Sequence, residues 1–277
     1  YVNPEKPDQY ANNILLEDKL VKDAMEANGL RVTRKSWSDP DFDWNTTKYI
    51  IFRSTWDYFD RYDEFSMWLQ DVSKKTTLLN SANLINWNID KHYLLDLKDA
   101  GINICETYFV EKGSQTTLKQ LHNKLGWEQT VLKPCVSGGG RHTYKLNKDN
   151  LEQFEAIFQE LIANEAMMLQ PFQKNIVTKG EYSYMVMNGQ FTHAILKKAK
   201  AGDFRVQDDF GGTVHLHEAS NEEIAFAEKA VAACSEKPIY ARVDVIIDNN
   251  DKMAIAELEL IEPELWFRHH HEAANVL

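Results

Sequence analysis

Several features are scarce in this 277-residue sequence, and each scarcity narrows what the protein can be. There are only three cysteines, Cys105, Cys135 and Cys234, with no CxxC pair, so no disulfide framework is expected and a reduced, cytoplasmic setting is the default. No apolar run reaches the roughly 18 residues that a membrane-spanning helix needs, and no signal peptide is visible. Basic residues number 31 against 42 acidic ones, a net charge of -11, which argues against nucleic acid or an anionic membrane as the main partner.

The first 80 residues alternate between helix and strand. Apolar spacing predicts a helix from Leu15 that stops at Gly29, strands over residues 30–37, 49–53 and 77–79, and a second helix over 63–74. Strands separated by single helices favour a doubly wound parallel α/β sheet. Such a sheet usually opens with a strand, and none is evident before Leu15, so we expect that strand upstream of Tyr1.

Beyond residue 83 the pattern changes to α+β. A helix over 89–100, three strands and two further helices predict a small lobe over residues 84–168. An Asn188-Gly189 hairpin turn, a helix with a Ser220/Glu223 capping box and a last hairpin predict a larger lobe with an antiparallel sheet over 169–277. The predicted domains are therefore 1–83, 84–168 and 169–277.

The last hairpin, residues 240–263, carries three acids in an otherwise apolar setting. Glu257 and Glu259 project to the same side because side chains alternate along a strand. A turn with an even number of residues would pair Asp244 near Ile255 and bring its carboxylate to that side. Three crowded carboxylates repel one another unless a cation lies between them, and oxygen ligands suit Mg²⁺. The alternative is a solvated polar face.

A glycine-rich turn, Ser137-Gly138-Gly139-Gly140, follows a predicted strand that delivers Lys133. Successive glycines let backbone N–H groups approach anionic oxygens closely. The turn lacks the GK[ST] of a Walker A loop, and no GxGxxG opens a helix; by itself such a run is more often a flexible turn. Together with the acidic hairpin it predicts a site for phosphate and Mg²⁺.

The order of these elements resembles the ATP-grasp superfamily, in its glutathione-synthetase-like branch, from about residue 84 to 265. The matching elements are Lys91, Lys133, Ser137–Gly140, Gln170–Gln173, Gly180-Glu181, Lys197, Gly202–Arg205, Gly211-Gly212, Asp244 and Glu257–Glu259. Two further segments, Arg53–Tyr58 and Glu257–Pro263, look closer to the O-ureido-D-serine cyclo-ligase group, which closes the cycloserine ring. The fold implied is an ATP-grasp fold with an N-terminal doubly wound domain.

The resemblance implies that the cofactors are ATP and two Mg²⁺ ions, for which Mn²⁺ can substitute. Lys91, Lys133 and the backbone of Ser137, Gly138, Gly139 and Gly140 would contact the phosphates. The hinge residues Gln170, Phe172 and Gln173 would hold the adenine, and Glu181 the ribose hydroxyls. Asp244, Glu257 and Glu259 would hold the metal; the family often has Asn at the last of these positions.

The resemblance also suggests a catalytic set. Arg205 would stabilise charge on an acyl phosphate and on the tetrahedral oxyanion that follows. Lys197 would neutralise the β- and γ-phosphates, and the turn at Gly212 would add backbone N–H groups. Outside this context Arg205 would be read as a solvated loop residue.

Substrate residues are expected where a strand of the N-terminal sheet ends, because open α/β sheets bind ligands there. Arg53, Trp56, Asp57 and Tyr58 would clamp a carboxylate and an amine, although aromatic residues after a strand are commonly packing residues. Glu262 would face the substrate amine or a metal.

The predicted function is that of an ATP-dependent carboxylate–amine ligase, which acts through an acyl phosphate and releases ADP and phosphate. Both ligation of two molecules and closure of a ring within one molecule are open. Its partners would be small-molecule carboxylates and amines, and a homodimer would suit the family. Two alternatives remain: a kinase-like phosphotransferase on the same lobes, or a nucleotide-binding module without turnover. The presence of both the metal carboxylates and Arg205 disfavours the last.

Overall fold

The computed structural model describes residues 7–200, 202–203, 205–206 and 211–277. Three sheets follow one another along these residues: a two-stranded parallel sheet, a four-stranded sheet and a five-stranded sheet. The predicted α/β class with α+β ATP-binding lobes is confirmed. None of the helices in the described part of the chain is long and apolar enough to cross a membrane.

The N-terminal part wraps helices around the parallel pair of strands. Its elements are α1 (Gln9–Ala27), β1 (Tyr49–Ile51), α2 (Tyr62–Val72), β2 (Thr77–Leu79) and α3 (Ala82–Asn88). Helix α1 begins where the Asp8 carboxylate accepts the Ala11 N–H at 2.8 Å. Strands β1 and β2 pair in parallel, with Tyr49 opposite Thr77.

The strand predicted over residues 30–37 is absent, and that prediction was wrong. The segment has the alternating exposure of a strand, but side chains hold it in place of a backbone ladder. Arg34 forms an ion pair with Asp18 of α1 at 2.7 Å, and the Trp37 indole N–H donates to Asp57 at 2.8 Å. Alternating exposure shows only that one side of an extended segment is buried. Here the buried side packs against α1 and against the loop after β1 that carries Asp57.

The four-stranded sheet is antiparallel, in the order β3-β6-β4-β5. Its elements are α4 (Tyr93–Asp99), β3 (Tyr108–Val110), α5 (Leu118–Leu125), β4 (Gln129–Pro134), β5 (Tyr144–Asn147), α6 (Leu151–Asn164) and β6 (Met167–Pro171). Helices α5 and α6 pack on this sheet through Leu118 and Phe158, both fully buried. The helix predicted over 89–100 begins later, at Tyr93, so Lys91 lies in the turn between α3 and α4.

The five-stranded sheet is antiparallel, in the order β11-β10-β7-β8-β9. Its elements are α7 (Asn175–Lys179), β7 (Glu181–Met187), β8 (Gln190–Lys198), β9 (Thr213–His217), α8 (Asn221–Ala232), β10 (Tyr240–Ile247) and β11 (Met253–Glu259). The predicted Asn188-Gly189 turn is present, and both residues have the positive φ that a tight hairpin requires. The capping box of Ser220 and Glu223 also forms.

A β-bulge sets the register of the last hairpin. The predicted pairing of Asp244 near Ile255 is wrong, because the ladder shifts between Asp244 and Val245 and Asp244 lies opposite Glu257. One extra residue on a bulged strand moves every later pair by one position. Arg242 accordingly lies opposite Glu259, so a guanidinium and three carboxylates share one side of the hairpin.

Candidate active site

A cavity of about 490 Å³ lies where the glycine-rich turn, the hinge after β6 and the acidic side of the five-stranded sheet face one another. Most of the residues predicted for the site contribute to its wall. They are Trp56, Tyr58, Lys91, Lys133, Ser137, Gly138, Gly139, Gly140, Gln170, Phe172, Gln173, Glu181, Lys197, Arg205, Asp244, Glu257, Glu259 and Glu262. Three others, Arg53, Asp57 and Gly212, are not among the described residues that line it.

Asp244 is the buried centre of the acidic wall, with 2 % of its surface exposed. Its carboxylate lies 2.8 Å from Arg242 and 3.5 Å from the Lys197 ammonium, and it accepts a hydrogen bond from the Ser183 hydroxyl. Burial raises the pKa of Asp244, but the two cations outweigh burial and lower the pKa to about 2. This acid is therefore ionised and available as an anionic ligand.

The remaining acids on this wall exceed the cations beside them. Glu257 pairs with Lys91 at 2.9 Å, and Glu259 pairs with Arg242. Burial, with the nearby Asp244 and Glu257, raises the pKa of Glu259 to about 7 even though Arg242 lowers it. Burial and the charge of Glu259 raise the pKa of Glu262 to about 8. Because the nearby cations do not balance them, these two acids keep their protons to higher pH than free carboxyl groups do. An oxygen-only donor set of this kind fits a hard divalent cation such as Mg²⁺, which can take the place of those protons.

Lys91 links the acidic wall to the glycine-rich turn. The Lys91 ammonium donates to the Ser137 carbonyl at 2.6 Å and pairs with Glu257. The backbone N–H of Lys91 donates to the Cys135 carbonyl at 2.9 Å. Lys133 also faces the cavity, and no hydrogen bond or ion pair joins its side chain to any described residue. One lysine is thus held in place by the protein, while the other is available to a ligand.

The glycine-rich turn needs glycine for two different reasons. A Cβ on Gly138 would lie 2.7 Å from the Phe59 ring, so no side chain fits at this position without displacing the ring. Gly139 and Gly140 have φ of 56° and 72°, a left-handed conformation that other residues rarely adopt. The turn therefore presents its backbone to the cavity.

The hinge after β6 offers fewer backbone groups than the sequence predicted. The Phe172 N–H is donated to the Gln129 carbonyl at 2.8 Å, and the Phe172 carbonyl accepts from Asn249 at 3.0 Å. The Gln173 N–H has no acceptor among the described residues. An adenine edge would thus find its backbone donor at Gln173, while the Phe172 ring, with the Lys145 ammonium 3.4 Å from its centroid, forms a wall.

Glu181 and Lys197 face each other across β7 and β8. The Lys197 ammonium lies 2.5 Å from the Glu181 carboxylate, and Lys197 is 4 % exposed. Arg205 reaches the cavity from the loop after β8, where it pairs with Asp203 at 2.8 Å. Phe204, within the matched Gly202–Arg205 segment, lies outside the described residues.

The end of the cavity nearest the N-terminal part is aromatic. It is lined by Tyr10, Trp56, Tyr58, Phe59 and Trp266, beside Glu262 and Glu264. The Trp56 indole N–H donates to the Glu262 carbonyl at 3.2 Å, which ties the segment after β1 to the segment after β11.

Two of the predicted substrate residues are engaged elsewhere. Arg53 pairs with Asp18 of α1 at 3.3 Å and donates to the Pro263 carbonyl. Asp57 pairs with Arg61 at 2.8 Å and accepts from Trp37. Both side chains join elements of the N-terminal part to one another or to the segment after β11, so their contacts brace the aromatic end of the cavity from outside.

Arg242 is the site residue that the sequence reasoning missed. It is two residues before Asp244, so the same alternation that placed Glu257 beside Glu259 places it beside Asp244. Its guanidinium is 11 % exposed and contacts both Asp244 and Glu259. The strand periodicity was therefore a usable signal for this residue.

Two lobes with antiparallel sheets that enclose a cavity lined by lysines, a glycine-rich turn and clustered acids define an ATP-grasp protein. The model of the prokaryotic glutathione synthetase ATP-grasp domain matches residues 102–261, more than half of the chain. The chain therefore belongs to the ATP-grasp superfamily, in its glutathione-synthetase-like branch. It is an ATP-grasp ligase of the carboxylate–amine class, as the sequence predicted.

The chain is similar along most of its length to a cycloserine biosynthesis protein. The model of the N-terminal domain of the D-cycloserine synthetase DcsG matches residues 5–80. The cycloserine biosynthesis protein DcsG of Streptomyces lavendulae is 27 % identical over 262 residues, which cover 88 % of this chain and 85 % of that protein. The crystal structure of the D-cycloserine synthetase DcsG superposes with a TM-score of 0.86 at 26 % identity, covering 95 % of this chain and 92 % of that one.

More distant structures share the fold alone. The ATP-grasp ligase PsnB, solved with a precursor variant, Mg and ADP, has a TM-score of 0.62 at 16 % identity and covers all of this chain and 93 % of that one. The D-alanine–D-alanine ligase of Bacillus anthracis, solved with ATP, has a TM-score of 0.60 at 14 % identity and covers 92 % of this chain and 84 % of that one.

Proposed function

We propose that this ligase activates the carboxylate of a small amino-acid-like substrate as an acyl phosphate and joins it to an amine of the same molecule, which closes a ring. One observation carries the proposal: a single cavity joins cations and a glycine-rich turn, an acidic wall, and an aromatic end that also holds acids. Those three parts suit a nucleotide, a divalent cation and a small zwitterion, respectively.

The nucleotide would lie between the two lobes. Lys133, with no partner of its own among the described residues, is the cation best able to meet a phosphate, and Lys91 would support it. Ser137 to Gly140 would cover the phosphates with backbone N–H groups. Gln170, Phe172 and Gln173 would hold the adenine and Glu181 the ribose, the division of roles that the family resemblance implies.

Asp244, Glu257 and Glu259 would hold Mg²⁺, and Mn²⁺ can substitute. Their donor set fits because it is made of oxygens and because the raised pKa of Glu259, due to burial and its acidic neighbours, marks charge that the protein's cations leave unbalanced. When bound, the metal would neutralise the phosphate oxygens. We propose two ions, in keeping with three carboxylates on one wall.

The chain's own groups would then act on the transferring atoms. A carboxylate oxygen attacks the γ-phosphorus and ADP leaves. A second nitrogen of the substrate, distinct from the ammonium group, next attacks the acyl carbon; phosphate leaves as the tetrahedral intermediate collapses and takes up the proton that the nitrogen loses. Arg205 and the N–H groups near Gly212 would stabilise the oxyanion, and Lys197 the phosphates. We add Arg242, whose guanidinium is freed for substrate if a metal takes over its carboxylate partners.

The substrate would lie at the aromatic end, with its ammonium group towards Glu262 and its body against Trp56 and Tyr58. Arg53 and Asp57 would act from outside the cavity, by holding this end in place. The similarity to D-cycloserine synthetase over 95 % of the chain supports an O-ureido-serine or a related amino acid as substrate, and an intramolecular reaction. We further propose that the protein is cytoplasmic and that it forms a homodimer. Light scattering of the purified protein is the direct test of the dimer.

The experiment is product analysis with a panel of amino acids, including both enantiomers of O-ureido-serine, and ATP with Mg²⁺. Equal release of ADP and phosphate, together with a dehydrated cyclic product from one substrate, is the expected result. ADP without free phosphate, together with a stable phosphorylated product, would mean a phosphotransferase. Turnover that requires a separate amine would mean ligation of two molecules. The Arg205→Ala variant should bind ATP but turn over at least about a hundredfold more slowly; normal turnover would refute its role.

A further inference from the structure

A second group of metal-ligating side chains lies beside the turn that carries Lys91. Asp90, His92 and Cys135 each offer one ligand atom, and these atoms lie within 4.8 Å of one another. None of the three is among the described residues that line the cavity, and the proposed ligase chemistry uses none of them. The group therefore needs an explanation of its own.

The imidazole of His92 faces a carboxylate on each side. Its Nδ1 lies 2.5 Å from the Asp90 carboxylate, and its Nε2 lies 3.1 Å from the Glu111 carboxylate. A neutral imidazole has one N–H and can donate to only one of them. If Nε2 donates to Glu111, the lone pair of Nδ1 points at an anion, and a cation must share that space. A bound metal ion or a second proton would each satisfy the ring.

The position of a third ligand separates these two possibilities. Cys135 contributes a thiol to the same space, and a hydrogen-bonded imidazolium has no need of one. The cysteine is 1 % exposed, and its backbone is fixed because its N–H donates to the Ala166 carbonyl and its carbonyl accepts the Lys91 N–H, both at 2.9 Å. The His92 ring stacks on Phe109, with centroids 4.1 Å apart. Two ligands are thus pre-positioned, and the half-exposed Asp90 can adjust to complete the set.

We propose that Asp90, His92 and Cys135 bind a divalent transition-metal ion of the zinc class. A thiolate, an imidazole and a carboxylate are the ligands that Zn²⁺ prefers, whereas Mg²⁺ takes oxygen ligands alone. Glu111 accepts the Nε2–H from outside the ligand set, the arrangement that orients most metal-bound histidines. Solvent fills the fourth position, on the exposed side of His92. The thiol proton passes to solvent when the metal binds.

The test is titration of the full chain with Co²⁺, which reports a thiolate ligand by its charge-transfer absorption in the near ultraviolet. Saturating Mg²⁺ is present throughout, so that the oxygen ligands of the cavity are occupied. The run His269-His270-His271 is changed to asparagine in every sample, because neighbouring histidines can bind metal by themselves. The expected result is one Co²⁺ per chain with a thiolate band, and loss of the band when Zn²⁺ is added.

The other two cysteines provide matched controls. Cys135→Ser should abolish the thiolate band, whereas Cys105→Ser and Cys234→Ser should leave it; Cys105 is the sharper control because it lines the cavity. His92→Gln should weaken binding severely, and Glu111→Gln by roughly 10- to 100-fold. His92 is partly exposed, so His92→Gln also keeps the test valid if a buried serine at 135 impairs folding. Absence of a band, or a band that survives Cys135→Ser, would overturn the proposal.

Discussion

Replacing Arg242 by glutamine tests the charge balance of the acidic wall most directly. The guanidinium is 11 % exposed and contacts two carboxylates, Asp244 and Glu259. Removing one partner of a buried ion pair costs roughly 3–5 kcal/mol, because the remaining charge is left desolvated. Lys197, at 3.5 Å from Asp244, provides only partial compensation, so the free energy of unfolding of Arg242→Gln should fall by an amount in that range.

Magnesium should restore much of this loss. A dication bound by Asp244 and Glu259 takes the place of the missing positive charge, so the variant should gain more stability from Mg²⁺ than the wild type does. Urea unfolding followed by circular dichroism, with and without Mg²⁺ at neutral pH, measures both quantities. The matched control is Arg268→Gln, since Arg268 is equally buried and also contacts two acids, Glu17 and Glu264, neither of which is proposed as a metal ligand.

The control determines how the result is read. Arg268→Gln should be destabilised without recovery in Mg²⁺. If Mg²⁺ stabilises both variants to the same extent, it acts through general charge screening and the acidic wall is not a metal site. If Arg242→Gln is as stable as the wild type without Mg²⁺, the ion pairs of Arg242 with Asp244 and Glu259 contribute nothing to stability, and the expected loss is refuted.

Three further outcomes can be checked separately. Burial lowers the pKa of His193 to about 4, below its unfolded value of about 6.5, so the folded protein binds that proton less readily. Its stability should fall by up to roughly 3 kcal/mol as pH drops from 6.5 to 4, and urea unfolding of His193→Gln should lack that slope. Lys133→Met should weaken ATP binding in calorimetry with little loss of stability, whereas Lys91→Met should lower both, because of these two lysines only Lys91 has hydrogen-bond and ion-pair partners among the described residues. Gly138→Ala should raise the KM for ATP, since its Cβ would lie 2.7 Å from the Phe59 ring, and the added Phe59→Leu change should restore it; an unchanged KM in Gly138→Ala would refute the steric argument.

The sequence predicted the large lobe best, because its signals are local. The Asn188-Gly189 turn and the Ser220 capping box each depend on residues a few positions apart, and both are present. The parallel pair of β1 and β2 was harder, because its partners are separated by a helix. The segment over 30–37 shows the limit of such signals. Its alternating exposure arises because α1 covers one side of it, and only the tertiary structure reveals that none of the described strands lies beside it.

The site divides in the same way. The alternation of side chains along β10 and β11 was enough to group Asp244, Glu257 and Glu259. The same alternation also places Arg242, two residues before Asp244, on that side of the hairpin. The bulge that sets Asp244 opposite Glu257 left no local signal. Arg53 and Asp57 lie in the predicted segment, but their side chains are engaged with Asp18 and Arg61, contacts that a linear motif cannot reveal.

The charges of the cavity explain why metal and nucleotide should bind as a unit. Five basic and six acidic side chains among the described residues line it, so with every one of these groups ionised the cavity carries one net negative charge before any ligand enters. ATP carries about four negative charges, and a low-dielectric cleft magnifies the repulsion. Three of the cations, Lys91, Lys197 and Arg242, already pair with the wall. A dication that binds Asp244 and its neighbours releases those cations towards the phosphates and substrate, so each ligand raises the affinity for the other.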